Sequence, residues 1–273
     1  MVEMFSSSSL PLKIGIVIPT YNEAENLPDL LHALFTLPLN ISVLVVDDNS
    51  PDGTGHLADE FARFHPKLTV LHRPGKQGLA SAYVQGFHYF LDTKVDVIGQ
   101  MDADFSHDPG VLRTMAKCLE SCDVVLGSRY TRDGSVDAQW PLWRKAISTL
   151  GNLYARLVLR VPVRDMTTGF RLWRADTLRG LPLNGILSKG YIFQVEMVYL
   201  AHCLEYHMAE MPIHFEDRHR DLSKMSLPIQ LEAMIRVWQI WLTHRPLCHI
   251  GRAARIQQSK QSLRSNNGKL YAP

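Results

Sequence analysis

Three polar clusters each follow a short apolar run in the first half of the chain. They are Pro19-Thr20-Tyr21-Asn22-Glu23, Val46-Asp47-Asp48-Asn49-Ser50-Pro51-Asp52-Gly53 and Met101-Asp102-Ala103-Asp104-Phe105-Ser106-His107. Two carboxylates with one residue between them, Asp102 and Asp104, converge on one hard cation when the strand end bends. An oxygen donor set with open positions suits Mg2+ or Mn2+, which keep waters and accept substrate phosphates. A cation held this way neutralises a diphosphate leaving group. Each cluster alone also has a plainer reading. Tyr21 can simply cover a sheet end, the stretch from Asp47 to Gly53 is rich in turn formers, and Asp102 and Asp104 can cap the helix after them. Taken together, acidic clusters at one sheet edge repel each other unless a cation or donor groups lie between them.

The elements that must hold these clusters are legible as alternating strands and helices. Lys13 to Pro19, Ile41 to Asp47, Leu68 to His72, Val95 to Met101 and Val124 to Gly127 are short apolar runs of buried-strand type. Between them, Asn22 to Thr36, Thr54 to His65, Leu79 to Leu91 and Pro109 to Leu119 read as helices. Asn22 is the expected cap of the first, ahead of Glu23 and Glu25. Leu57, Phe61 and Phe64 mark the expected inner face of the second. Continuous apolar strands separated by helices predict an α/β fold with a mostly parallel sheet covered on both faces. Ligands of such sheets bind beyond the carboxyl ends of the strands, where the three clusters fall. Later segments are looser: helices over Lys145 to Val161, Phe193 to Tyr206 and Ile229 to Thr243, and a strand over His207 to Phe215.

Composition narrows the class. With 273 residues, 46% hydrophobic and 21% charged, the chain has the makeup of a folded enzyme-sized domain, not of a disordered protein. Cys118, Cys122, Cys203 and Cys248 do not form the framework of a secreted disulfide scaffold, so a reducing compartment is expected. Cys118 and Cys122, one helical turn apart, read as two packed side chains, with a metal pair as the alternative. No apolar stretch is long enough to span a bilayer, and Met1 to Ser9 lacks the features of a signal peptide. The expected organisation is a flexible lead-in over 1–12, one catalytic domain over 13–245, and a basic, disordered tail over 246–273. No acidic residue follows Glu232, while seven basic ones do, leaving 22 basic against 27 acidic in the rest, a net of −5. A basic tail on an acidic body suits an anionic surface or is merely solvated.

In order, these clusters together with Gly127-Ser128-Arg129-Tyr130 resemble the family 2 inverting glycosyltransferases of GT-A fold. Asp165 to Leu172, Lys189 to Met197, Pro212 to Arg218, and Ser223-Lys224 are similar to segments of the dolichyl-phosphate (polyprenyl-phosphate) mannose synthases. The resemblance implies GDP-mannose as donor, a polyprenyl monophosphate as acceptor, and Mg2+ or Mn2+ as cofactor. By motif position, Pro19, Tyr21, Glu23, Val46 and Asp48 would surround the guanosine part of the donor. Asp102, Ala103 and Asp104 would contact ribose, diphosphate and metal. Asp104 would be the main ligand, and Ser106 would stand where some relatives use a glutamine ligand. Arg129 would face the acceptor phosphate, with Arg144 as a second candidate. Arg218 and Lys224 would hold the donor diphosphate, although Asp221 stands where the family usually has glycine.

The step implied is attack of a phosphate oxygen on the anomeric carbon, turning an α-linked donor into a β-linked product. A phosphate monoester has its second pKa near ~6, so the acceptor arrives ionised and needs no strong base. The apolar helix with Trp238 and Trp241, ahead of the basic tail, can lie in a membrane interface. It can equally be a core helix, or dock on a small membrane-embedded partner subunit. The expected place of work is the cytoplasmic face of a membrane, with no nucleic-acid partner. Two other chemistries suit parts of this pattern: glucose transfer from UDP-glucose to the same lipid, and a haloacid-dehalogenase-type phosphatase using Asp102 and Asp104. In the phosphatases the acidic pair follows the first strand, whereas here it follows the fourth.

Overall fold

The computed structural model describes residues 12–138, 140–216 and 232–250. Its elements are β1 (Lys13–Thr20), α1 (Leu27–Thr36), β2 (Asn40–Asp47), α2 (Thr54–Phe64), β3 (Leu68–His72), α3 (Leu79–Leu91), β4 (Val97–Gln100), α4 (Leu112–Cys118) and β5 (Val124–Ser128). There follow β6 (Ser135–Val136), α5 (Leu142–Leu159), β7 (Arg171–Arg174), α6 (Ala175–Gly180), α7 (Ile192–Cys203), β8 (Met208–Pro212) and β9 (His214–Phe215). A last helix, α8, covers residues 232–250. The sheet order is β3-β2-β1-β4-β7-β5-β8, with β6 and β9 forming a separate pair. All neighbours in the main sheet run parallel except β7, which is antiparallel to both β4 and β5.

The strand alternation divides the core in two. Ile14, Ile16 and Ile18 of β1 point into the layer under α1 and α4, with Leu30, Leu34, Leu112 and Met115. Val17 points the other way, toward Tyr83 and Phe87 of α3 and Phe193 and Leu200 of α7. Burial on both faces makes these strands read as unbroken apolar runs. Some polar groups inside are linked to one another: Trp173 Nε1 donates to Gln100 Oε1 at 2.8 Å, and Gln100 Nε2 donates to Gln194 Oε1 at 3.2 Å.

Several expectations change. Asn22 does not cap α1; it takes a left-handed φ of 61°, and the helix begins at Leu27 behind Asn26. Phe64 is 82% exposed, because α2 buries Thr54, Gly55 and Ala58 instead. α5 starts at Leu142, three residues earlier than the apolar spacing suggests, because Pro141 presets φ just ahead of the first turn. β7 was not foreseen as a strand, being only four residues long and antiparallel. α8 extends past Thr243 to residue 250, into what was assigned to the tail. Cys118 and Cys122 are free, but Cys203 of α7 and Cys248 of α8 form a disulfide. This departs from the expectation of a wholly reduced chain, since only the fold lays α8 along α7. The lead-in up to residue 11 and the tail from 251 lie outside the described residues.

Two helices carry apolar faces toward solvent. α5 exposes Leu142, Trp143, Ile147, Leu150, Leu153 and Leu157, and α8 exposes Met234, Ile235, Trp238 and Leu242. The helices meet where Tyr154 Oη donates to the Met234 carbonyl at 3.0 Å.

α3 lies close on the sheet because Gly86 faces Val17, where an added Cβ would fall inside the valine side chain. Gly86→Ala is expected to lower stability by about 1–3 kcal/mol through overpacking, against the ~1 kcal/mol by which alanine favours a helix. Gly151 of α5 has open space around its Cα, so Gly151→Ala should raise stability by about 0.4–1 kcal/mol. Urea unfolding midpoints of the two variants check both signs.

Candidate active site

The carboxyl ends of β1, β2, β3, β4 and β5 and the start of the antiparallel β7 share one edge of the sheet. Every acidic residue predicted to act lies on it. The β1 and β2 loops are laced together. Thr20 Oγ1 and Ser50 Oγ both donate to Asp47 Oδ1, at 2.9 and 2.5 Å. Asp52 accepts from Ala24 N, Thr54 N and Thr54 Oγ1, and Glu23 N donates to Thr54 Oγ1. These bonds hold the Asp52 carboxyl below its usual range, although burial pushes the other way. Left-handed Asn22 and Asn49 make both bends, a conformation that asparagine tolerates.

Within this frame the expected donor residues fall as follows. Pro19 and Val46 are register partners at the ends of β1 and β2. Val46 and Ala103 are buried in the core, so any role they take is through the backbone and not the side chain. Tyr21 lies under the Lys76 ammonium, 3.9 Å from its ring centroid. Glu23 accepts from Asn26 Nδ2 at 3.1 Å. Asp48 Oδ1 is 2.8 Å from Arg73 Nε, and Asp48 Oδ2 accepts from Gly78 N at 3.3 Å. Arg73 and Gly78 went unassigned in the sequence, since neither belongs to an acidic cluster.

The acidic pair follows β4. Phe105 has a left-handed φ of 57°, a strained setting for a bulky side chain. That turn brings Ser106 back onto Asp104, whose Oδ1 accepts from Ser106 N at 3.1 Å and Ser106 Oγ at 2.5 Å. Ser106 is only 1% exposed. Its hydroxyl donates to Asp104. Asp102 Oδ1 accepts from Tyr83 Oη at 3.0 Å, and Oδ2 lies 3.9 Å from His107 Nε2. Burial, with Asp102 adding to it, drives the Tyr83 phenol well above its ordinary pKa, so it stays a donor. Gly169 closes against this carboxylate; a Cβ there would be 2.8 Å from Asp102 Oδ2.

β7 brings buried positive charge to the same edge. Arg171 donates to Gln194 O at 2.9 Å and Met166 O at 3.0 Å, and burial pushes its guanidinium down to about 9 despite Asp165, Tyr83 and Asp102 nearby. Arg129, expected to offer an open fork, grips Asp165 instead. Its Nε and Nη2 donate to the two carboxylate oxygens at 2.7 and 2.8 Å, and Nη2 also reaches Thr167 Oγ1 at 2.7 Å. Burial opposes both charges, but each holds the other ionised, with Asp165 below its usual value and Arg129 above. Only Nη1 is left for another partner among the described residues. Asp165 was visible as an acid ahead of Gly169-Phe170, yet its partner lies 36 positions earlier. Arg144 stacks on Trp140, its guanidinium carbon 3.9 Å from the ring centroid. Trp140 meets Phe215, which meets His107, so an aromatic chain runs from Arg144 to the neighbour of Asp102. Arg218, Asp221 and Lys224 lie outside the described residues.

Among the described residues no group of three His, Cys, Asp or Glu side chains gathers around one point. Asp102 and Asp104 can thus supply only part of a coordination sphere, through oxygen alone. This fits a hard cation completed by water and substrate phosphate, and disfavours a closed structural site.

A model of the family described as Glycosyl transferase family 2 matches residues 15–181. The chain is 44% identical over 234 residues to an undecaprenyl-phosphate mannosyltransferase of Micrococcus luteus, covering 86% of this chain and 96% of that protein. It is 40% identical over 224 residues to a polyprenol monophosphomannose synthase of Mycolicibacterium smegmatis, covering 81% and 84%. Among solved structures, mannosyl-3-phosphoglycerate synthase of Rubrobacter xylanophilus aligns with a TM-score of 0.61 at 18% identity, over 86% of this chain and 75% of that one. Glucosyl-3-phosphoglycerate synthase of Mycobacterium tuberculosis, solved with Mn2+, UDP and glucosyl-3-phosphoglycerate, aligns with a TM-score of 0.59 at 15% identity, over 87% and 80%. At that identity the structures speak for the GT-A arrangement of sheet and helices alone. The family match and the two bacterial relatives, joined to the acidic edge just described, make this chain a glycosyltransferase and a member of glycosyl transferase family 2.

Proposed function

We propose that the chain transfers mannose from GDP-mannose to a polyprenyl monophosphate at a membrane surface, with inversion at the anomeric carbon. The observation that carries the reading is one continuous edge. It joins Tyr21 and Asp48, the Asp102 and Asp104 carboxylates, and the Arg129 and Arg144 guanidiniums, and then runs into the apolar face of α5. The names of the two bacterial relatives support the sugar and the lipid class. Asp102 and Asp104 would hold a divalent cation, whose chemistry is to offset charge on the departing diphosphate.

The chain's own residues set the geometry. An acceptor oxygen forms the new bond to C1 of the sugar as the bond from C1 to the diphosphate oxygen breaks. The electron pair leaves with GDP. Since the acceptor phosphate is already largely dianionic near neutral pH, no proton need be removed. Arg144 meets the acceptor phosphate best: it sits at the start of α5, beside the exposed Leu142 and Trp143. Arg129, bound to Asp165, offers a single Nη1 and fixes the loop between the two subsites. Positioning of this kind is worth up to ~7–11 kcal/mol in favourable cases.

The acceptor's tail asks for a lipid-facing surface. α5 and α8 present one, with Arg144, Lys145 and Arg156 on α5 and no acidic residue on that helix. No helix among the described residues is long and apolar enough to cross a membrane, which suits helices lying in the interface. Arg218 and Lys224 are assigned to the donor diphosphate.

Three outcomes are expected. Purified protein with labelled GDP-mannose, a prenyl phosphate and Mg2+ should yield a mannolipid in the organic phase, lost on chelation; Asp104→Asn should lower kcat at least about 10²-fold. Labelling from UDP-glucose in place of GDP-mannose would reverse the choice of sugar. Arg144→Ala should raise the KM for prenyl phosphate about tenfold or more with the KM for GDP-mannose little changed. Trp238→Ser with Leu242→Ser should weaken flotation with anionic vesicles at least about tenfold; wild-type flotation by the double variant would remove α8 from the membrane contact.

A further inference from the structure

α8 enters the donor edge by a route that its position does not suggest. His244, 5% exposed on its inner side, lies with Nε2 2.7 Å from Oε1 of Glu196, which is 0% exposed on α7. Glu196 also accepts from Leu187 N at 2.9 Å and Ser188 N at 2.8 Å. The next residue, Lys189, accepts from Ala80 N at 3.1 Å in the first turn of α3. Gly78 stands against that same carbonyl: its φ is +96°, and a Cβ on it would be 3.2 Å from Lys189 O. Gly78 N in turn donates to Asp48. A line of directed bonds therefore runs from α8 through Glu196 and residues 187–189 to the start of α3 and Asp48.

A buried ionic group is a poor way to gain stability, since apolar packing of the same volume serves as well or better. Here an apolar cluster lies around the pair, with Val237 and Ile240 of α8 in the same core as Tyr199 and Leu200 of α7. Burial alone would raise the Glu196 pKa, yet bonds from His244, Ser188 and Leu187 hold it below its usual range. The carboxylate thus keeps three donors from two segments in fixed directions, which apolar contacts would not do.

We propose that Glu196 and His244 are positioning residues for the nucleotide-sugar donor, tying the helix with the exposed apolar face to the segment that sets Gly78, α3 and Asp48. This rests on the reading of Asp48 and its neighbours as the donor site. Seating α8 in a lipid interface then firms the donor edge, and loosening the pair releases it. The effect falls on donor binding, not on the bond-making step.

The test uses the full chain with prenyl-phosphate vesicles and GDP-mannose, and GDP with Mg2+ for direct calorimetric binding. His244→Ala should raise the donor KM and the GDP Kd about tenfold, with kcat at saturation and acceptor KM within about twofold. His244→Gln, whose amide can donate to Glu196, should restore donor KM to within about threefold. Val237→Ala, on the same buried side but off the bonded line, should lower the melting temperature and leave donor KM as it was. Glu196→Gln gives the same comparison if His244→Ala does not fold. An unchanged donor KM in both His244→Ala and Glu196→Gln, or an equal rise in Val237→Ala, overturns the proposal. A wild-type protein that makes no mannolipid but still binds GDP would sink the functional reading alone, and the GDP affinities would still judge the pair.

Discussion

Mutual repulsion among carboxylates governs this molecule. Asp47, Asp48, Asp102, Asp104 and Asp165 all face one edge of one sheet, and four of the five are under a tenth exposed. A buried carboxylate stays ionised only when donors or cations surround it. Each of these has its own: Thr20 and Ser50 for Asp47, Arg73 and Gly78 for Asp48, Tyr83 for Asp102, Ser106 for Asp104, Arg129 for Asp165. Most of the loops on this edge take their course from those bonds.

The antiparallel β7 follows from the same constraint. A parallel strand between β4 and β5 would bring only its carboxyl end to the edge, after a long crossover. Entering in the opposite sense, the segment from Asp165 to Phe170 crosses the edge before the strand begins. It delivers Asp165 to Arg129, Gly169 to the face of Asp102, and Arg171 into the interior behind them. Among the described residues Arg171 meets no carboxylate directly; two backbone carbonyls receive it, and its field still reaches Asp102 and Tyr83. Positive charge is thus built into the sheet beneath the acidic edge.

Further out, polarity changes abruptly. Arg144 and Trp140 mark the point where the acidic edge gives way to the bare leucines of α5. An acceptor with an anionic head and a hydrocarbon tail has that same change of character along its length. α8 adds a second apolar face, held inward by Val237, Ile240 and His244 and by the link from Cys203 to Cys248.

The sequence by itself determined the layered β/α alternation, the boundaries of α3, and the gathering of Asp48, Asp102 and Asp104 at one strand edge. Those features come from local periodicity and from polar residues placed where apolar strands stop, and both are written within a dozen neighbouring positions. The partners were not legible. Arg129 meets Asp165 across 36 positions, Tyr83 meets Asp102 across 19, and His244 meets Glu196 across 48. Nothing local distinguishes an arginine that grips a buried aspartate from one open to a phosphate. Val46 and Ala103 sit inside a motif yet are buried in the core; for Val46, in β2, strand alternation and not motif membership sets which way the side chain points. The bare face of α5 was hidden for the same reason: amphipathic spacing tells which residues share a side, and only packing decides whether that side is covered.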